Sequence, residues 1–583
     1  ASRKLYDQLA RGWNTWDVQS VAAHVLLPEK VRLHVSVVIP GRNGYTENSL
    51  WDHVENFGEH SDDGRYTSVD LCYLERRLRV ESSARGDELL LRVTPLNVLE
   101  GTYIALEVAE IWGGRPRITY EGAGISVASG EKTLCVRALN PQKTPEWDPV
   151  KAAHLTVSGG ETAYFVVNSD KSPAEIDRAI AEAQAEWLNE TIRADGALGE
   201  GITAMRRSLL WNMVYEPRHA RVVTPVSRNW CRRRGVHFGD YVLFDWDTFF
   251  AAIQYALIGK ELAYSTFFSI IEELTPEGMV PNFGCATGQS RDRSEPQVGA
   301  LCAWRLYQQF KDKWFIESVF EPLLTWNRWR FRERDKNHDG LMELGSTKFS
   351  GTYDELKADG FGAGTKQGAM WESGLDNSTM FDRAVFNEEL ECLEQSYAGL
   401  NGLMLADCDL LARMARLLGR DSEEKELTAR YDALTARIEA ELWSEEAGTY
   451  LNKGWDGAFD PTLSLTHFYP MLGGRVPPER QKKLMAHLRD ENEFWGKYVV
   501  PNIARCDASF PEQEYWRGRI WAPTNFLVGE GLLRMGETET WDEVTRLGLA
   551  MFLDCWQKKG IVGENYNAIT GEAAENGSSD RFY

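Results

Sequence analysis

Ser172-Pro173-Ala174-Glu175 divides the chain between two kinds of hydrophobic repeat. Serine is a favoured N-cap, and proline fits the first helical turn because its missing N–H would have no partner there. Glutamate is favourable beside the positive end of a helix. The tetrapeptide therefore predicts a helix start, and the Ala- and Glu-rich run to Asn189 continues it. Before this point the apolar residues alternate: Val31, Leu33, Val35 and Val37 face one way, with Arg32, His34 and Ser36 between them. Similar runs occupy 89–93, 103–108 and 155–167. Period two over many short segments, separated by Gly, Pro and Asn, predicts an antiparallel β-sandwich over residues 1–171. From about residue 200 the period is 3.6, with helices expected over 203–215, 248–258, 389–418, 421–443 and 541–556. The helix within 172–199 reads as a linker. Helices alternating with long polar and aromatic loops over 200–583 predict a toroid of paired helices, an (α/α)6 barrel whose loops at one end build a site. The rival helical solenoid calls for a fixed-period repeat, and none is visible.

Composition sets the class of partner. At 583 residues the chain exceeds one core's comfortable size. A net charge of −22, spread along the chain, excludes nucleic acid and anionic membranes as expected partners and favours a small neutral carbohydrate. The 21 tryptophans suit either sugar-stacking surfaces or a large helical core. There is no basic segment followed by an apolar run and no window of about twenty apolar residues, so nothing visible targets or spans a membrane. The chain begins at Ala1 rather than Met, which leaves room for a removed leader. Cys72, Cys135, Cys231, Cys285, Cys302, Cys392, Cys408, Cys506 and Cys555 form an odd set without a C-x-x-C pair. That predicts reduced, buried thiols in a bacterial cytoplasm rather than a zinc or disulfide framework. The sequon Asn377-Ser378-Thr379 also points away from eukaryotic secretion, since a glycan there would obstruct the site described next.

Trp371-Glu372-Ser373-Gly374-Leu375-Asp376-Asn377-Ser378 sets a carboxylate among aromatic, small and amide residues after a glycine-rich segment, Gly360 to Gly364. A second such carboxylate lies in Gly563-Glu564-Asn565-Tyr566-Asn567, with Thr570-Gly571-Glu572 behind it. Two separated acids are what glycoside hydrolysis needs: one protonates the leaving oxygen, and the other activates water or attacks the sugar carbon.

With Phe244-Asp245-Trp246-Asp247-Thr248 and Tyr515-Trp516-Arg517-Gly518-Arg519-Ile520-Trp521, these motifs resemble glycoside hydrolase family 63 and its mannosylglycerate-hydrolase-like relatives, cousins of the trehalases. The resemblance covers roughly 200–583. It implies an inverting enzyme with Asp376 as general acid and Glu564 as general base acting through a water. It also implies a sugar subsite lined by Phe244, Trp246 and Asp247, with Trp371 and Glu372 enclosing the acid and raising its pKa. Trp516, Arg517 and Trp521 would form a second wall, in which Arg517 orients Glu564 or donates to a sugar oxygen. The competing readings are a helix N-cap for Asp247 and a structural ion pair for Arg517. Where the family shows Ser-Gln-Pro-Pro, this chain has Ser294-Glu295-Pro296-Gln297, so the polar contacts there, Gln297 included, are open. The chain ends at Arg581-Phe582-Tyr583, where the family continues into a further helix, which points to truncation.

Asp335-Lys336-Asn337-His338-Asp339-Gly340-Leu341-Met342-Glu343 spaces oxygen ligands like the first part of an EF-hand loop, without its distant glutamate. Asp335, Asn337, Asp339, the Leu341 carbonyl and Glu343 are the candidate ligands of a structural calcium ion. Catalysis needs no cofactor. The activity expected is an inverting, exo-acting α-glycosidase on a short α-glucoside. The alternatives are a mannosylglycerate or glucosylglycerate hydrolase, whose substrate carboxylate would need Arg291, Arg293 or Arg517, and a non-catalytic carbohydrate-binding protein. A phosphorylase is disfavoured by Glu564 in its full motif.

Overall fold

The alternating runs form strands where they are expected. Val31–Val38 is the middle strand of a five-stranded antiparallel sheet, in the order Gly12–Asn14, Ala23–Leu27, Val31–Val38, Tyr103–Glu110, Ala153–Ser158. An eight-stranded antiparallel sheet runs Val54–His60, Tyr66–Tyr73, Arg76–Arg85, Glu88–Pro95, Ala163–Val167, Lys132–Ala138, Gly124–Ser129, Arg117–Glu121. The two sheets face each other: His24 Nε2 of the first lies 2.9 Å from Ser82 Oγ of the second, both buried. The alternation at Val31–Val38 does not mark a solvent face, because His34 and Ser36 are as buried as the valines. Their side of the strand is covered too, and Ser20 and Glu107 satisfy them.

The computed structural model describes residues 2–41, 53–97, 101–143, 148–231, 241–348, 362–560 and 562–573. Gly360, Phe361 and Arg581 to Tyr583 lie outside these. The chain divides into two compact units, Ala1–Asp195 with Ile202–Tyr241, and Gly196–Gly201 with Val242–Tyr583. The first begins with α1 (Ser2–Leu9) and contains α2 (Pro173–Glu190). Helix α2 starts at the expected proline but lies against the eight-stranded sheet rather than spanning a gap. Its stripe Ile176, Ile180, Ala183 and Trp187 is buried, and Asp177 and Glu186 pair with Arg92 and Arg85 of that sheet. Most of α3 (Gly201–Asn212) also joins this unit: Trp211 stacks on Phe57 and donates to the Gly58 carbonyl, and Arg206 pairs with Glu59. The unit therefore extends to about residue 241, past the boundary at 200 expected from the change of period.

In the second unit the helices come in pairs: α4 (Asp245–Tyr255) with α5 (Lys260–Ile271), and α6 (Gly299–Phe310) with α7 (Lys313–Glu333). After the short α8 (Lys366–Trp371) come α9 (Ala398–Leu418) with α10 (Asp421–Glu441), the 3-10 helix Leu465–Gly473 with α11 (Pro478–Leu488), and α12 (Ala522–Arg534) with α13 (Thr538–Lys559). Burial separates the partners. Helix α9 is buried almost all round, whereas α10 buries the single stripe Leu427, Tyr431, Leu434, Ile438, so α9 is internal and α10 peripheral. Gly402 of α9 allows the closest approach, since a Cβ there would lie 2.5 Å from the Tyr469 backbone. The internal elements follow one another from α4 through α6, α9 and Leu465–Gly473 to α12, and Phe526 of α12 meets Phe250 of α4 at 5.4 Å. The helix expected over 389–418 begins only at Ala398. Cys392–Ser396 is instead a strand between Glu343–Gly345 and Lys453–Gly454, because its N–H and C=O groups find partners on both sides.

Candidate functional site

Two short strands place the site. Val242–Phe244 pairs with Phe283–Cys285 and ends at Phe244, which caps α4, so the motif Asp245-Trp246-Asp247 forms the first helical turn. Asp247 is therefore not the N-cap. Its carboxylate is favoured by the helix's positive end, and it is partly exposed, as is Phe244. Ile520–Trp521 pairs antiparallel with Asn565–Tyr566, which brings the Tyr515 motif beside the Glu564 motif. The Gly563 N–H donates to the Tyr566 hydroxyl at 3.1 Å, and Arg519 Nε donates to Asn565 Oδ1.

The acid-bearing loop is tied to both. Gly374 has φ +71°, and a Cβ there would come within 2.8 Å of the Trp246 ring, so only glycine lets the loop lie on that indole. Asn377 Oδ1 accepts the Trp516 backbone N–H at 2.9 Å, and its Nδ2 donates to Glu514 at 2.8 Å. The Asp376 carbonyl accepts Gln367 Nε2 at 2.9 Å. Trp516 stacks on Trp521 with ring centres 3.6 Å apart and lies 6.0 Å from Trp246, giving an aromatic wall.

Asp376 is partly exposed, yet its surroundings push its pKa up to about 7. Desolvation is the largest cause, Arg293 opposes it, and the Asp247 charge adds to it. Glu564, 5% exposed, accepts the Tyr515 hydroxyl at 3.2 Å. Burial, then Glu564, Asp376 and Asp247, hold that phenol protonated. Tyr515 thus stands among the carboxyls the chemistry would use. Such a set can hold one acid protonated near neutrality beside another poised to take a proton.

Not every expected residue joins this cluster. Glu372 is enclosed in the protein: it pairs with Arg330 at 2.9 Å and Arg334 at 2.6 Å and accepts the Ser294 and Gly345 N–H groups. Its pKa is lowered, and although burial acts the other way, the two arginines decide it. Closed off from solvent, it is not among the groups that raise Asp376, so the expectation that it raises the acid is corrected. Arg517 pairs with Glu512 at 2.5 Å and Asp382 at 3.2 Å, and Tyr515 takes the place expected of it beside Glu564. Gln297 donates to buried Asp407 at 3.4 Å. Trp371 packs under the Arg293 guanidinium, 4.7 Å from the ring. The residues missed are Tyr515 and Asn377, both inside quoted motifs, and Glu295, noticed only as a departure.

The 335–343 loop bonds to itself. Asp335 accepts the Gly340 N–H, Asn337 Oδ1 the Asp339 N–H, and Asp339 Oδ1 the Leu341 N–H at 2.8 Å. Glu343 is buried and turned toward the Lys336 N–H and Trp455 Nε1. Among the described residues no group of three or more His, Cys, Asp or Glu side chains is placed to hold a metal ion.

Comparison with known proteins gives a consistent picture. The profile of the mannosylglycerate hydrolase MGH1-like glycoside hydrolase domain matches residues 240–583, starting where the second unit starts. A probable mannosyl-oligosaccharide glucosidase of Schizosaccharomyces pombe is 25% identical over 49% of this chain, and the match spans 36% of that protein. Mannosylglycerate hydrolase MGH1 of Selaginella moellendorffii is 24% identical over 57% of this chain and 77% of its own length. The crystal structure of the family 63 mannosylglycerate hydrolase of Thermus thermophilus with Tris and D-glycerate aligns with TM-score 0.49 and 18% identity, covering 64% of this chain and 95% of that one. Among the described residues no helix is long and apolar enough to cross a membrane.

Proposed function

The chain belongs to the mannosylglycerate hydrolase MGH1-like branch of glycoside hydrolase family 63, and from that premise we propose an inverting, exo-acting α-glycosidase that hydrolyses a short α-glucoside. One observation carries the reading: a partly exposed Asp376 with its pKa near 7, in the same carboxyl cluster as Asp247 and the Tyr515-bound Glu564. Asp376 donates its proton to the glycosidic oxygen as that bond breaks. A water attacks the anomeric carbon from the opposite face and gives its proton to Glu564, which Tyr515 orients. Inversion requires the two carboxyls to be roughly 6.5–9.5 Å apart, leaving room for the water. Trp246 is the platform under the sugar, Asp247 grips its hydroxyls, and Trp516 and Trp521 form the facing wall. The alternation of internal and peripheral helices supports a toroid of paired helices as the scaffold, although the described residues hold five internal elements rather than the six of an (α/α)6 barrel. The cysteines are not all buried as expected: Cys135 and Cys506 are exposed and Cys72 is half-buried.

The charges favour a neutral substrate. Arg291 pairs with Glu277, Arg293 with Asp292 and Arg517 with Glu512 and Asp382, so each arginine considered for a substrate carboxylate already serves a protein one. The second reading, a mannosyl- or glucosylglycerate hydrolase, rests on what the curated relatives are named for. Proton NMR in the first minutes of reaction tests the mechanism. An α-glucoside should release the β-anomer before mutarotation, and an initial α-anomer would mean a retaining enzyme with carboxyls about 5–5.5 Å apart. Release of no sugar from any α-disaccharide would leave a binding protein.

A further inference from the structure

Both carboxyl oxygens of Glu295 are held by amide donors from different elements. Oε2 accepts the Trp246 backbone N–H at 3.3 Å, and Oε1 accepts Asn282 Nδ2 at 2.5 Å. The residue is 5% exposed, and its carbonyl accepts Arg330 Nη2 at 2.6 Å. The string of bonds continues away from α4. Asn282 Oδ1 accepts Arg293 Nε at 3.1 Å, Arg293 Nη1 meets Asp292 at 2.7 Å, and the same guanidinium lies over Trp371. Asn282 also accepts the Asp245 N–H through its carbonyl, so the start of α4 is held at two successive amides, those of Asp245 and Trp246. Glu295 thus stands between the wall behind the acid loop and the helical turn that presents Trp246 and Asp247.

Resting on the hydrolase reading above, we propose that Glu295 is a positioning residue: its side chain pins the first turn of α4, so that Trp246 and Asp247 stay set against Asp376. Acids from two elements crowd it. Asp245 and Asp247 face it from α4 and Asp376 from the loop after α8, while Arg330 of α7 is spent on its carbonyl and Arg293 reaches it through Asn282. Burial first, and then those three carboxyls, push its pKa well above the ordinary value, outweighing the N–H donors that favour the charged form. Ionised, it would set a further negative charge beside Asp247 and Asp376 and drive apart the turn it holds. The side chain is occupied on both oxygens by protein donors, so it acts through Trp246 rather than on the sugar.

Three variants and two readouts test this. Glu295→Gln, neutral at every pH, should keep kcat and KM within about threefold of wild type. Glu295→Ala, which frees the Trp246 amide, should raise KM about tenfold. Glu295→Gln falling as far as Glu295→Ala would mean that the charge matters and would overturn the proposal. The second readout needs no substrate: tryptophan emission of the free protein, dominated near the site by Trp246, Trp516 and Trp521, is titrated toward alkaline pH. Wild type should show a transition that Glu295→Gln lacks and that Glu564→Gln, altered on the far side of Tyr515, retains. Identical titrations of wild type and Glu295→Gln would overturn the proposal even if Glu295→Ala fails to fold. Absence of hydrolysis in wild type would remove the hydrolase reading while leaving the emission result to decide the role of Glu295.

Discussion

Both units bury carboxyls and histidines, but they differ in which kind is pushed toward its neutral form, histidines in the first and carboxyls in the second, and the contrast shows what each interior is for. In the first unit His24, His34 and His60 are enclosed, and each meets a hydroxyl: Ser82 at 2.9 Å, Ser20 at 3.0 Å and Thr15 at 2.6 Å. Burial pushes His24 down to about 4 and His60 to about 3, so they remain neutral partners of neutral groups. In the second unit the interior collects carboxyls. Burial lifts Asp376 and Asp407 to about 7 and Glu343 to about 8, and Asp245 and Glu295 further still. Residue types alone do not tell the two interiors apart. Ser20, His34 and Glu107 line up at 3.0 and 3.3 Å, like a hydrolytic triad, yet all three are buried and no substrate reaches them. What marks the second interior is that Asp376, Asp247 and Tyr515 are partly exposed.

Removing the central acid tests the contrast most severely. Asp376→Asn should lower turnover by about 10²–10⁴, the range expected of a general acid, with the fold retained because the change is isosteric. The loss should be smaller for an aryl glycoside with an acidic phenol, whose leaving group needs little protonation. Equal losses on aryl and alkyl glycosides would remove Asp376 from the role. Wild-type activity should fall as pH rises through about 7, because a donor must be protonated and Asp376 loses its proton there. An alkaline limb that persists unchanged in Asp376→Asn would show that another group sets it.

Stability should depend on pH with opposite signs in the two units. Asp407, 1% exposed, titrates near 3.8 when unfolded and near 7 when folded. The unfolded chain therefore ionises first, and the second unit loses stability as pH rises across that window, by about 1.4 kcal/mol per pH unit and roughly 4 kcal/mol in all. His24 runs the other way: its contribution is present above 6.5 and is lost as pH falls toward about 4, at the same rate per unit and by roughly 3 kcal/mol. Among the described residues Asp62, raised to about 6 in the first unit, and His467, lowered to about 3 in the second, run against the contrast and soften it without reversing it. Hydrogen exchange read by mass spectrometry at several pH values resolves the units. Asp407→Asn should flatten the alkaline loss in the second and His24→Gln the acid loss in the first. If both units lose protection in the same direction, the comparison breaks.

Much of this was legible in the sequence, for reasons that also explain what was not. Period two and period 3.6 are local signals, so the strand at Val31–Val38 and the helix starting at Pro173 could be read directly. Whether His34 faces water depends on a second layer supplied by distant residues, and no local period reports that. Cys392–Ser396 became a strand because Glu343–Gly345 and Lys453–Gly454 offered it partners, a long-range fact that overrides a helical pattern. Asp376 and Glu564 stood out because acids among tryptophan, glycine and asparagine are unusual. Glu372, in the same motif, looked equally functional, and only Arg330 and Arg334 arriving from α7 and its C-terminal end make it structural. The tryptophan count was least decisive: Trp13, Trp16, Trp211 and Trp326 fill cores, and Trp246, Trp516 and Trp521, the proposed wall of the site, are themselves only 2–3% exposed.

The smallest effect expected is at the 335–343 loop, where composition and geometry disagree. Its spacing suits calcium, but Asp335, Asn337 and Asp339 already accept amides of their own turn, and Glu343 points to Lys336 and Trp455. Burial, together with the Asp339 and Asp335 charges, lifts Glu343 to about 8. An ion would have to draw Glu343 away from Lys336 and Trp455 and share the loop's carboxylates with their own amides, and a ligand stabilises only to the extent that it binds the folded state. Millimolar calcium or a chelator should therefore move the melting temperature by less than about 1 °C, equivalent to roughly 1 kcal/mol in a protein of this size. Glu343→Gln should melt at or above wild type at pH 8, since it replaces a buried carboxyl forced toward ionisation with a neutral group of the same shape. A calcium-dependent rise of many degrees that vanishes in Asp335→Ala would show that the loop rebuilds itself around the ion. The carboxyls of the second unit would then belong to two classes, those raised for chemistry and those awaiting a cation.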